Sequence, residues 1–116
     1  QTNQIEGVLG EGQRVMLVED LVTDGFSKLR FNIGVRAQKA RMSHCLCVFE
    51  YSPDEVDQHE GKKNLADHEI SLHTLSNWDD VLSVGEEMQF FSEDGRNQLV
   101  DFLKDPSNWG RRMGFE

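Results

Sequence analysis

The stretch VMLVEDLVTDGFSK, residues 15 to 28, sets four apolar residues before two adjacent acids and then runs Thr-Asp-Gly-Phe-Ser. A short apolar run rich in β-branched residues reads as a strand covered on both faces, here over residues 14 to 19. The carboxyl end of that strand emits Glu19 and Asp20, a turn follows, and Ser27 is placed to cap a helix. Leu29, Ile33, Ala37 and Ala40 recur at helical spacing through SKLRFNIGVRAQKA and mark the face expected to meet the sheet. Gly34 costs this helix about 1 kcal/mol relative to alanine. Strand, loop and helix in this order put carboxylates and free backbone N–H groups side by side, at the sheet edge where α/β folds bind ligands.

Acids and an anion repel, so a ligand that suits both parts is neutral and polyhydroxylated near the acids and anionic near the loop. A sugar phosphate has that form. Its ribose hydroxyls can donate to Glu19 and Asp20. Its phosphate can sit among the N–H groups of Thr23, Asp24, Gly25, Phe26 and Ser27, aided by the Thr23 and Ser27 hydroxyls and the helix dipole. Gly25 lets the backbone approach the phosphate closely and tolerates positive φ. The plainer alternative, a solvated strand end followed by a helix cap, accounts for the two acids but not for the whole run.

Outward from this stretch the pattern continues. HCLCVFEY, residues 44 to 51, reads as a second buried strand, so a parallel βαβ unit with a right-handed crossover is expected. SPDEVDQHEGKK, residues 52 to 63, reads as a polar loop. Residues 70 to 75 alternate like a third strand, and NWDDVL opens a short helix with Asn77 as its cap and acids in its first turn. The tail from Ser92 reads as two short helices separated at Pro106. Trp78, Trp109, Phe90, Phe91, Phe102 and Phe115 are expected to anchor tail helices on the sheet.

The whole chain sets bounds. Its 116 residues suffice for one small domain with a modest core. Twelve basic against twenty-one acidic residues give a net charge of −9, which repels nucleic acid and anionic membranes. No run approaches the roughly 18 apolar residues of a membrane span. Cys45 and Cys47, the only cysteines, share one face of a strand about 6.6 Å apart, which disfavours a bridge between them. Reduced, buried thiols and a cytoplasmic setting are expected. His44 beside these cysteines invites a metal reading, but zinc wants four suitably spaced ligands, so core packing is favoured. His59, His68 and His73 read as surface or helix-end residues. Lys28, Arg30, Arg36, Lys39 and Arg41 read as a solvated basic face, with phosphate attraction or a subunit contact as the alternatives.

VMLVEDLVTDGFS resembles the ribose 5-phosphate binding motif of the type I phosphoribosyltransferases, an apolar strand leading into two acids, two apolar residues and a Thr-x-Gly-x-Ser/Thr loop. IEGVLGEGQRVMLVEDLVTDG, NLADHEISLHTL and NWDDVL further resemble the C-terminal half of orotate phosphoribosyltransferases of the α-proteobacterial type. The chain departs from that branch at Phe26, where glycine is usual. The resemblance implies a partial Rossmann-like α/β fold, a mostly parallel sheet with flanking helices. It makes residues 1–116 the C-terminal portion of one domain, with 1–13 the end of a flexible loop and lead-in. It assigns Glu19 and Asp20 to ribose hydroxyls and residues 23–27 to phosphate, with no catalytic residue and no direct metal ligand in this chain. It further implies phosphoribosyl pyrophosphate and orotate as partners, Mg²⁺ as cofactor, self-association as a homodimer, and inactivity of this portion alone. Two other readings stay open. One is a non-catalytic sugar-phosphate-binding or regulatory domain of the same fold. The other is a receiver domain, whose opening VMLVED resembles, but which passes from its acids straight into a helix and needs an aspartate where this chain offers VFEY.

Overall fold

The computed structural model describes residues 5–51 and 60–115. Three parallel strands in the order β1-β2-β3 form the sheet: β1 (Arg14–Val22), β2 (Arg41–Glu50) and β3 (Ser71–Asn77). Helix α1 (Phe26–Ala37) connects β1 to β2, and α2 (Glu60–Ala66) precedes β3. Three helices follow, α3 (Trp78–Glu87), α4 (Glu93–Lys104) and α5 (Pro106–Arg112). The expected α/β class and parallel strand–helix–strand unit are therefore present. Gln1 to Gln4 of the lead-in and His59 lie outside the described residues.

Several boundaries differ for physical reasons. The 52–63 segment, read as loop, contains the start of α2, in which Gly61 and Leu65 are buried at i, i+4 spacing. Strand β1 runs past the acids to Val22, with Leu21 and Val22 in register with Phe49 and Glu50. Glu19 and Asp20 therefore lie inside the strand, and being consecutive they point to opposite faces. The cap of α1 is Gly25, with φ of 80° and no side-chain bond, so Ser27 sits in the first turn instead of capping it.

Helices α1 and α2 cover one face of the sheet. Val22, Met42, Cys45, Cys47, Leu65 and Ile70 form the core there, with Val15, Leu17, Leu29, Val35 and Leu72 packed against it. On the other face Met16, Val18, Val48 and Leu75 are more than half exposed. Coverage of β1 on both faces, expected from its unbroken apolar run, is thus not found among the described residues. Helix α1 is also rotated relative to expectation. Ile33 is exposed, whereas Lys28 and Asn32 are buried, because Lys28 reaches a half-buried charge partner beneath the helix.

The third strand hands directly to α3. Asn77 accepts from the Asp80 N–H at 3.0 Å while Asp80 accepts from the Asn77 N–H at 3.0 Å, the reciprocal cap that the sequence NWDD encodes. Trp78 packs edge-on against Phe49 and Tyr51, at 5.6 and 5.9 Å between centroids, and so anchors α3 as expected. Trp109 does not reach the sheet. It packs on Phe102 and Phe115, at 5.6 and 5.7 Å, holding α4 and α5 to each other. The tail helices extend the molecule to 54 × 33 × 24 Å, with a radius of gyration of 17.7 Å against about 13 Å for a compact chain of this length.

Candidate functional site

The loop between β1 and α1 lies at the carboxyl end of the parallel sheet, the edge that carries ligand sites in this class of fold. Its turn depends on Gly25. With φ of +80° any side chain there is strained, and a Cβ would lie 3.0 Å from the Gly61 carbonyl oxygen and 3.2 Å from the Leu65 side chain. Helix α2 supports the loop from behind. Gly61 packs so closely on the Thr23 carbonyl that a Cβ would overlap it, and the Asn64 side-chain amide donates to the Asp24 carbonyl at 2.9 Å. A backbone pinned at two successive carbonyls is held in one conformation before any ligand arrives.

The polar groups of this turn are divided between internal bonds and free positions. The Asp24 carboxylate accepts from the Phe26 N–H at 3.0 Å, and the Gly25 carbonyl accepts from the Lys28 and Leu29 N–H groups. Among the described residues no acceptor meets the N–H groups of Asp24, Gly25 or Ser27. The Thr23 and Ser27 side chains are exposed beside them. Phe26 stands at the first position of α1 with its ring 56% exposed, outside the core.

The two acids differ. Asp20 is exposed, and one of its oxygens accepts from the Leu21 N–H at 2.7 Å. Glu19 faces the covered side and pairs with the Lys28 ammonium at 3.3 Å, with side-chain exposures of 21% and 9%. Lys28, grouped by its sequence with a solvated basic face, is instead a buried counter-charge one turn into α1. The thiols beneath are inert. Burial first, then the Cys47 thiol, push Cys45 up to about 11, opposed by Lys28. Cys47 is likewise raised by burial, against a hydrogen bond from Thr74. Both are free, as expected.

Gly61 and Asn64 were not legible as site residues, nor was the pairing of Glu19 with Lys28. The i, i+4 spacing of Gly61 and Leu65 was the available signal for α2, but nothing in EGKKNLADH marks Asn64 as a support for a loop forty residues away. His73, read as an isolated surface residue, meets His44 across the strands, Nε2 to Nδ1 at 3.0 Å.

Comparison with known proteins adds ancestry. No family model matches the chain. Curated relatives match almost all of it: the orotate phosphoribosyltransferase of Jannaschia sp. is 41% identical over 109 residues, 94% of this chain and 46% of the relative. The chain is a homologue of the orotate phosphoribosyltransferases. The orotate phosphoribosyltransferase of Rhizobium meliloti agrees, with 34% identity over 96% of the chain and 46% of the relative. The chain thus spans about half the length of the curated relatives it matches. Solved structures share the fold. Leishmania donovani UMP synthase superposes with a TM-score of 0.69 and 16% identity, over 84% of this chain and 21% of that one. Aeropyrum pernix orotate phosphoribosyltransferase gives 0.54 and 18%, over 62% and 40%.

Proposed function

We propose that this chain supplies the sugar-phosphate portion of an orotate phosphoribosyltransferase site, within residues 1–116 as the C-terminal part of one domain. The observation that carries this reading is the pinned turn at Gly25, with unused N–H groups at Asp24, Gly25 and Ser27. The 5-phosphate of phosphoribosyl pyrophosphate lies among residues 23–27, where those N–H groups, the Thr23 and Ser27 hydroxyls and the helix dipole meet its charge. Asp20, exposed on the open face of β1, accepts from a ribose hydroxyl, and Glu19, on the covered face and engaged by Lys28, is proposed as the second carboxylate from the motif alone. Phosphate and ribose held together orient C1, so remote binding energy is used at the reacting bond. There the bond from C1 to pyrophosphate oxygen breaks as the bond from C1 to an orotate nitrogen forms, through an oxocarbenium-like state.

Mg²⁺ brought with the donor would supply charge neutralisation for the departing pyrophosphate. Asp20 keeps a carboxylate oxygen beyond the one engaged by the Leu21 N–H that would be open to such an ion, whereas Glu19 is engaged by Lys28. The apolar open face and the edges of β1 and β3, unpaired among the described residues, support self-association. The net charge argues against nucleic acid as a partner. Among the described residues no helix is long and apolar enough to cross a membrane.

The motif assigns none of the described residues to the departing pyrophosphate or to excluding water, so the chain is expected to bind the donor without turning it over. Since one electrostatic contact in a transition state is commonly worth about 10² to 10³ in rate, losing several takes turnover below detection. The assay follows orotate absorbance with donor and Mg²⁺ in excess, for this chain and for a version carrying the upstream half of a relative. Turnover by the extended version alone is the expected result. Turnover by the short chain would overturn the division of labour. Silence from both, with donor binding intact, would favour the non-catalytic sugar-phosphate-binding reading.

A further inference from the structure

The end of the sheet opposite the β1–α1 loop carries a second concentration of charge. Arg14 opens β1, Arg41 opens β2, and the two are register partners. Like charges directly opposite in a sheet destabilise it. The chain has acids in excess, 21 against 12 basic residues, and elsewhere it uses them: Lys28, Lys39, Arg96 and Arg112 are each paired with a carboxylate. Among the described residues Arg14 and Arg41 have no ion pair or side-chain hydrogen bond.

Directly after this pair the register slips. Val15 faces Met42 but Met16 faces His44, leaving Ser43 as an extra residue in β2. Such a bulge re-aims side chains. The result is a cavity of about 340 Å³ lined by Arg14, Val15, Met16, Arg41, Ser43 and His44. Two guanidinium groups, a hydroxyl and an imidazole line it, and among the described residues no acid does. Glu69 lines a neighbouring cavity together with Arg36 and Arg41. His44 engages His73 through Nδ1, which fixes the ring and leaves Nε2 for another partner.

We infer that this cavity binds a phosphate-class oxyanion, free or carried on a small ester. Guanidinium groups present paired donors that match phosphate oxygens in geometry as well as charge, and a bound dianion removes the repulsion between Arg14 and Arg41. The cavity is not the sugar-phosphate loop. It sits at the amino ends of β1 and β2, about 25 Å along β1 from that loop at 3.3 Å per residue.

The test is a titration of the isotopically labelled chain with inorganic phosphate at low ionic strength, followed by amide chemical shifts, with chloride as control. Saturable shifts at Met16, Ser43 and His44 are expected with phosphate and not with chloride. Glycerol phosphate is the second arm: a tighter response than to inorganic phosphate assigns an ester, a weaker one the free anion, and both support the seat. Arg14→Gln should weaken the response at least tenfold, and Arg41→Lys, which keeps the charge, by less. Arg14→Gln removes a like-charge contact, so its unfolding midpoint without phosphate should not fall below that of the parent chain. Thr23→Ala should leave the Ser43 and His44 shifts intact, which separates this inference from the proposed function. Shifts confined to residues 23–27, equal shifts with chloride, or an undiminished response in Arg14→Gln would overturn it. Saturable shifts with an acidic peptide and none with phosphate would assign the patch to a protein partner and overturn it as well.

Discussion

Gly61→Ala is expected to lower unfolding stability by about 3 kcal/mol, the upper end of the range for overpacking a close contact. The added methyl would overlap the Thr23 carbonyl oxygen and lie 3.1 Å from a Val22 methyl carbon. Its main obstacle is backbone, which has no rotamer to escape into, so α2 must back away from the loop. Leu65, fully buried on the same helix, then loses packing, and the Asn64 bond to Asp24 is stretched. Urea denaturation measures the loss. Lys62→Ala, exposed one residue further on, should stay within about 0.5 kcal/mol of the parent. Gly61→Ala as stable as that control would show that α2 does not brace the loop.

Glu19→Gln should be nearly as damaging, by about 2 to 4 kcal/mol. Breaking a buried ion pair by removing one partner leaves an uncompensated charge and costs about 3 to 5 kcal/mol when burial is complete. Here the stranded group is the Lys28 ammonium, whose side chain is 9% exposed, and the residual access at Glu19, 21%, moderates the cost. The two thiols nearby offer no substitute anion, because Cys45 is raised to about 11. Lys28→Met should cost less, since the partner it leaves behind is the more exposed one. The double variant should recover most of the loss in Glu19→Gln, because an apolar chain of similar length replaces a buried ion pair with little penalty. Additive losses in that cycle would mean that the pair carries no coupling.

How far the sequence could be read follows from what each residue interacts with. Asn77 with Asp80 was legible because its partners are three residues away, as were the parallel strand–helix–strand unit and the break at Pro106. Thr-Asp-Gly-Phe-Ser was legible as a turn because Gly25 meets a demand of its own backbone, a φ of +80°. What failed was long-range. The α1 face was read from apolar spacing alone, and Lys28 and Asn32 took the buried positions because a carboxylate on the adjoining strand draws the ammonium inward. Strand β1 was read as covered on both faces from an apolar run that periodicity cannot separate from a half-exposed strand. Trp109 was assigned to the sheet from its size, whereas its ring partners lie on its own tail.

The central claim, that the β1–α1 turn seats a sugar phosphate, is tested most directly by calorimetric titration of ribose 5-phosphate into the chain, its Asp20→Asn variant and its Thr23→Ala variant. Asp20 offers a carboxylate oxygen beyond the one engaged by Leu21, and Thr23 a hydroxyl at the edge of the loop. Hydrogen bonds that involve a charged group contribute about 1.5 to 3 kcal/mol, so each variant should bind roughly tenfold to a hundredfold more weakly than the parent. Equal affinity in all three, or no detectable binding in any, would contradict it.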